Sequence, residues 1–358
     1  MLARRSTFRH PAAGPIELPL LVPAFSSKGF AFRSRRTGKK TRKYSEVAYE
    51  LAEFGKQPHK SVLVSAYDLF HRHFDAPKIL PSVRDAYIEQ SAIIFVDSGG
   101  YELAPEFDST EPRLYTHKPQ GFTEKNYRSV LDNFRDRRIP PPLVVANFDF
   151  RRSRISLAQQ IKKARALFRD YPCFASDFII KPWKDKFLNP DDFSEKDVAN
   201  LRGFDVIGVT EKELARNLID RLARVALLRK RLDAQGISAP IHVWGGLEPI
   251  ATPLFFFAGA EIVDGISWLR YAYREGVALS RESYCVVSET GVTASSVLNH
   301  MHASLDNLVA LSKLTIALQR WIDGQGNDFS MFPEKVQSAL QTAYSTMLSC
   351  IPALNRRA

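Results

Sequence analysis

Asp97, Asp149 and Asp264 each follow a short apolar run, in FVDSGGYEL, VVANFDF and AEIVDGISW. A converging pair of carboxylates suits substitution at an anomeric carbon, where one attacks as nucleophile and the other moves protons. The same logic covers sugars and nucleosides. Each acid alone has a plainer reading, because an aspartate after a strand often caps a helix or shapes a turn. DSGG is more telling. Ser98, Gly99 and Gly100 follow Asp97 at once, and paired glycines let the backbone approach another group closely. A plain tight turn would use the same two glycines.

The elements that must position these acids show in the chain's rhythm. Apolar β-rich runs at 17–22, 61–65, 92–96, 143–148, 177–180, 205–209, 241–244 and 261–263 alternate with amphipathic stretches. Helical spacing predicts helices over 123–138, 153–169, 211–235 and 295–321, with a further partly helical stretch at 334–348. Eight βα repeats in about 250 residues predict a (β/α)8 TIM barrel. The rival is a doubly wound open sheet, but no G-x-G-x-x-G follows the first run. The expected division is a basic tail over 1–15, frayed at its start, a barrel over 16–322 and a C-terminal helical extension over 323–358. Strand C-termini in such a barrel share one face, so the three acids are expected to meet there.

The chain has 358 residues, 45% of them hydrophobic, enough for a sizeable core. Lys plus Arg total 50 against 39 Asp plus Glu, a net of +11. That balance favours an anionic partner, nucleic acid or a membrane surface. No apolar run has the length of a transmembrane helix, and the partner expected is nucleic acid, with no membrane. The three cysteines form no C-x-x-C pair and no closed disulfide set, which fits a reducing, cytoplasmic setting. The stretch RSRRTGKKTRK holds seven basic residues in eleven: Arg33, Arg35, Arg36, Lys39, Lys40, Arg42 and Lys43. It reads either as a solvated loop or as a contact to a phosphate backbone.

Together these segments resemble the tRNA-guanine transglycosylase family, whose members use a (β/α)8 barrel. The family's DSGGFQ element is similar to Asp97–Glu102, and its NTYHL element to Ser65–Leu69. Its AFDE element is similar to Asn147-Phe148-Asp149-Phe150, its H-Y-L-M-G-V-G-x-P segment to IHVWGGLEP, and its M-F-D-C segment to Ile262-Val263-Asp264-Gly265. The matches keep the family's order, one per strand end, over roughly residues 18–321. The resemblance implies that Asp264 attacks C1′ of a ribose or deoxyribose in tRNA or DNA. Guanine would leave, and Asp97 would act as general acid and base toward it and toward an incoming 7-deazaguanine-type base. It further implies that Asp149 reads the base's N1–H and 2-amino group, that Gly208 contacts the base through its backbone, and that Tyr101 stacks on it. Gly245 and Gly246 would line the same pocket, with Lys181 where the family has a base-reading Gln.

Other departures stand beside that substitution. The family's C-x-C-x2-C zinc run is reduced to Cys285, and its downstream His is Ala317; four ligands are not assembled, so no metal and no cofactor is expected. His300 and His302 lie nearby on a helix, where surface or packing roles are common. The His of NTYHL is Asp68. A homodimer is compatible with the resemblance. Three other readings stay open: a non-catalytic nucleic-acid-binding subunit of the same fold, a barrel N-glycoside hydrolase, and a nucleic-acid-binding protein whose acids cap helices.

Overall fold

Period-two alternation along eight apolar runs decides the architecture. Strands β1 (Leu20–Phe25), β2 (Ser61–Ser65), β3 (Ile93–Asp97), β4 (Leu143–Ala146), β5 (Ala175–Ile180), β6 (Val206–Thr210), β7 (Ile241–Trp244) and β8 (Ile262–Gly265) pair in chain order. Every pairing is parallel, and β8 closes on β1 with Asp264 opposite Val22. The chain is thus a (β/α)8 barrel, seen in a computed structural model that describes residues 1–37, 40–54, 61–76, 81–104, 118–149, 155–184, 187–288, 291 and 296–354.

Alternate residues of each strand fill the barrel or face the helices. Leu20, Val22, Leu63, Phe95, Val144 and Ile179 belong to the interior cluster. Leu21, Val62, Ile94, Val145, Phe178 and Val263 belong to the larger layer between strands and helices. Closure leaves the barrel sheet without an edge. Helices start where a side chain can cap them: Thr123 and Asn126 form a reciprocal capping box at helix Glu124–Arg135, as do Ser156 and Gln159 at Leu157–Arg169.

Four expectations are corrected. The N-terminal segment is not a frayed tail. Thr7–His10 pairs antiparallel with Gly14–Glu17. Phe8 and Leu18 plug the barrel's N-terminal end within the interior cluster, and His10 Nε2 lies 2.8 Å from the Leu143 carbonyl oxygen. This hairpin consumes residues 14–17, so the first barrel strand begins at Leu20. The stretch at 211–235 is two helices, Glu211–Leu214 and Leu218–Ala234, because Asn217 caps the second through Asp220 N. The basic stretch is no loop but an antiparallel ribbon of Phe32–Thr37 with Lys40–Ser45.

The C-terminal extension is helical. Glu334–Cys350 buries Val336, Leu340 and Met347. It packs on helix Ala251–Phe257, where Phe257 lies 4.1 Å from the Trp321 ring and 5.1 Å from Tyr344, centroid to centroid. Among the described residues no helix is long and apolar enough to cross a membrane.

Candidate active site

Asp97 ends β3 two residues beyond Phe95, and Asp264 lies two beyond Ile262 in β8. Phe95 and Ile262 face the interior, so alternation turns both aspartates inward at the C-terminal mouth. Asp149 follows β4 by three residues. The three acids share this mouth, near enough for the charges of Asp264 and Asp149 to act on Asp97. The Asp97 carboxyl is pushed up to about 6, by burial first, with the Lys181 ammonium opposing and the negative charges of Asp264 and Asp149 adding to the rise. Asp264 is only 5% exposed.

The turn after Asp97 shows what its glycines make room for. Gly99 has φ +80°, and a Cβ there would stand 2.8 Å from Tyr67 Cβ. A Cβ on Gly100 would stand 2.8 Å from Asp149 Oδ2, so this glycine lets β3's turn sit against the third acid. Ser98 is buried, and its backbone N–H supports the Asp97 carboxylate. Glu102 is buried too, accepting from Ser26 Oγ at 2.5 Å; burial, with Asp68 and Asp97 adding, pushes it up to about 8. Lys28 Nζ stands 4.5 Å above one face of Tyr101, whose hydroxyl accepts from Arg270 at 2.9 Å. That face of the Tyr101 ring is therefore covered.

Lys181 follows β5 and is tethered. Its Nζ donates to Thr210 Oγ1 and Glu213 Oε2, both at 2.9 Å, and lies 3.5 Å from Asp149 Oδ2. The expected base-reading pair, Asp149 and Lys181, is thus already in contact across the mouth.

On the opposite side Gly245, at φ +90°, donates its N–H to Asp264 Oδ1 at 3.0 Å. Gly246 is buried against Phe255. Beneath Asp264 lies an array that the sequence motifs did not single out. His242 Nδ1 is 2.6 Å from Asp177 Oδ2, and its Nε2 is 3.2 Å from Asp264 Oδ1. Period two was the available signal: Asp177 falls between interior residues Ala175 and Ile179, and His242 is two before interior Trp244. Polar residues at interior positions of a strand need a partner.

Gly208, expected as a backbone contact to a base, lies buried within β6 opposite His242 in register. A Cβ there would fall 2.7 Å from Asp177 Oδ1 and 2.8 Å from Trp244 Nε1. Gly208→Ala is expected to lower stability by about 1–3 kcal/mol through this overpacking. Urea denaturation checks it, and an unchanged midpoint would contradict the crowding.

The basic ribbon belongs to the connection after β1, so it rises from the same barrel end as the acids. Arg33, Arg36 and Lys43 are exposed. Lys39 and the side chains of Arg35, Lys40 and Arg42 lie outside the described residues. Farther round, His300 Nε2 lies 2.6 Å from Glu50 Oε1, Cys285 donates to the Arg281 carbonyl, and Ala317 is buried in the core. No group of three or more His, Cys, Asp or Glu able to hold a metal occurs among the described residues. A cleft of 590 Å³, lined by Phe8, Arg9, Arg202 and Asp205, opens at the barrel's opposite end, away from the acids. In barrels of this kind chemistry belongs to the C-terminal face, so the carboxylate mouth and not this cleft is the candidate site. Residues 105–117, 150–154 and 185–186 lie outside the described ones.

No protein-family model matches the chain, and no curated protein matches it.

Proposed function

We propose that this chain is a glycosyltransferase that exchanges guanine for a 7-deazaguanine-type base in tRNA or DNA, in the manner of the tRNA-guanine transglycosylases its motifs resemble. The observation that carries the reading is the gathering of Asp97, Asp149 and Asp264 at the barrel's C-terminal mouth, with Asp97 raised by burial and, less, by the charges of the other two. Asp264 attacks C1′, the C1′–N bond breaks, and a sugar ester of Asp264 forms. Protonated Asp97 gives its proton to the departing guanine. Ionised Asp97 then takes a proton from the incoming base, whose nitrogen attacks C1′ and returns Asp264 as a carboxylate. No water is consumed and one base replaces another. A carboxyl near 6 suits a group that must act in both protonation states.

Asp149 accepts from the base's N–H groups, and Lys181, a donor only, matches a carbonyl acceptor on the same ring. The target nucleotide must leave its stack, at a cost of a few kcal/mol. The basic ribbon on the same barrel end helps meet that cost through phosphate contacts.

The test is incorporation of radiolabelled guanine into tRNA or DNA by the purified protein. Uptake into either polymer is the expected result. Release of free base without uptake would replace this reading with an N-glycoside hydrolase. Binding with neither outcome would replace it with a non-catalytic subunit. The ribbon makes its own prediction. Replacing Arg33, Arg36 and Lys43 together by Ala should flatten the slope of log affinity against log salt by about 2–3, at roughly 0.7–0.9 per lost phosphate contact. kcat should stay unchanged, and an unaltered slope would return the ribbon to a merely solvated role.

A further inference from the structure

The Asp177–His242–Asp264 array lies inside the barrel, and the exchange chemistry above makes no use of two of its members. Asp177 and His242 have fully buried side chains, and that of Asp264 is 7% exposed. We propose that His242 is a positioning residue for the nucleophile: an imidazolium carried by Asp177 that holds Oδ1 of Asp264 inward and stabilises the carboxylate before attack and again when the sugar leaves. This inference rests on the transglycosylase reading.

The charges favour a proton on the ring, although burial also raises Asp177. With a neutral imidazole, two buried carboxylates would face each other across an uncharged ring, an arrangement far costlier than an acid–base–acid triple. Asp177 and Asp264 are the charged groups that act on the ring. Asp177 faces the ring from β5 and Asp264 from β8. From β3 comes the Phe95 ring at 5.3 Å, from β6 the side-chain-less Gly208, and along β7 the Trp244 ring at 4.5 Å. Burial by itself favours the neutral ring, but the two carboxylates outweigh it and raise His242 to about 9.

Geometry gives the charge a direction. Both the Gly245 N–H and His242 Nε2 address Oδ1. The 3.2 Å approach of Nε2 is an ion-pair contact off the hydrogen-bonding direction, and Oδ1 is held from two sides. Oδ2 is then the oxygen left to attack C1′. In the covalent intermediate Asp264 is a neutral ester, and the imidazolium keeps Asp177 alone. When the incoming base attacks, the C1′–Oδ2 bond breaks and its electron pair returns to a carboxylate beside a standing positive charge. His242 transfers no proton in either step. It makes Asp264 a better leaving group in the second.

The experiment combines two measurements on the full chain. In the guanine-exchange assay His242→Gln, which keeps a donor but loses the charge, should lower kcat about 100-fold, the size expected for one preorganised electrostatic partner. The KM for nucleic acid should stay within about twofold, because the residue acts on the bond-making atom alone. The wild-type rate should fall as pH rises through about 9, where the imidazolium is lost, and His242→Gln should lack that fall. Imidazole 15N shifts of histidine-labelled wild type need no active variant and should show His242 charged at pH 7. Asp264→Asn should lower the pH at which it deprotonates. A neutral His242 at pH 7, or a His242→Gln enzyme with wild-type kcat and an unchanged alkaline fall, would overturn the inference while leaving base exchange intact. A wild type that exchanges no base would overturn the transglycosylase reading itself.

Discussion

Asp264→Asn should lose base exchange by about 10⁴-fold or more in kcat, as removal of a covalent nucleophile does in enzymes whose residues act as a unit. The asparagine is the informative replacement. It keeps an oxygen for the Gly245 N–H, which now donates to Oδ1 at 3.0 Å. It also avoids the hole that an alanine would leave in a site only 5% exposed. Affinity for nucleic acid should change little, because phosphate contacts dominate it. The substitution also has an electrostatic signature. Asp264 is one of the charges raising Asp97, so its neutralisation should move the Asp97 titration downward. A variant that still exchanges guanine at a tenth of the wild-type rate would remove Asp264 from the nucleophile's role.

Asp97→Asn should slow exchange about 10²- to 10⁴-fold, the usual range for a lost general acid–base, and erase the limb of the pH–rate profile near 6. Stability should move the other way. The folded-state value of Asp97 lies above its ordinary value of 3.8, so the native state binds the extra proton between 3.8 and about 6. Stability from this group is therefore present below 3.8, falls as pH rises through about 6, and stays reduced above it. Asparagine carries no such charge, so the variant should melt a few degrees higher than wild type at pH 8 and show little difference at pH 4. Activity and stability changing in opposite directions is the mark of a carboxylate held in a site for its chemistry. A variant both slow and less stable at pH 8 would instead make Asp97 a structural residue.

Much of this site was legible from pattern alone. Strand-end aspartates after apolar runs are visible wherever β-branched periods stop, and a barrel brings all such ends to one mouth. Gly99 and Gly100 were readable as a close approach, although only the fold supplies Tyr67 and Asp149 as the groups approached. Asp177 was hidden by its position. Taken as the first residue of its strand it looks like a turn former, but the strand begins at Ala175 and turns Asp177 inward. His242 is likewise one polar residue within IHVW, and its meaning depends on two acids distant in sequence and close in space.

Two of the misread segments share a cause. The N-terminal residues and the 33–43 stretch are rich in charge, which suggests solvent, yet both form two-stranded ribbons whose few apolar members settle their place. Phe8 enters the barrel end, and Phe32 sets its ring edge-on to His73 at 4.9 Å. The helix at 211–235 carries an unbroken apolar stripe, and only the capping geometry of Asn217 reveals the break.

The covalent intermediate is the most direct test of the central claim. Wild-type protein mixed with a short guanine-containing tRNA or DNA substrate, without an incoming base, and quenched in acid should carry the base-free nucleic acid in ester linkage. Digestion and mass spectrometry should place that linkage on the peptide containing Asp264, with none in Asp264→Asn. An adduct on another residue, or base exchange that proceeds with no trapped ester at all, would contradict the account.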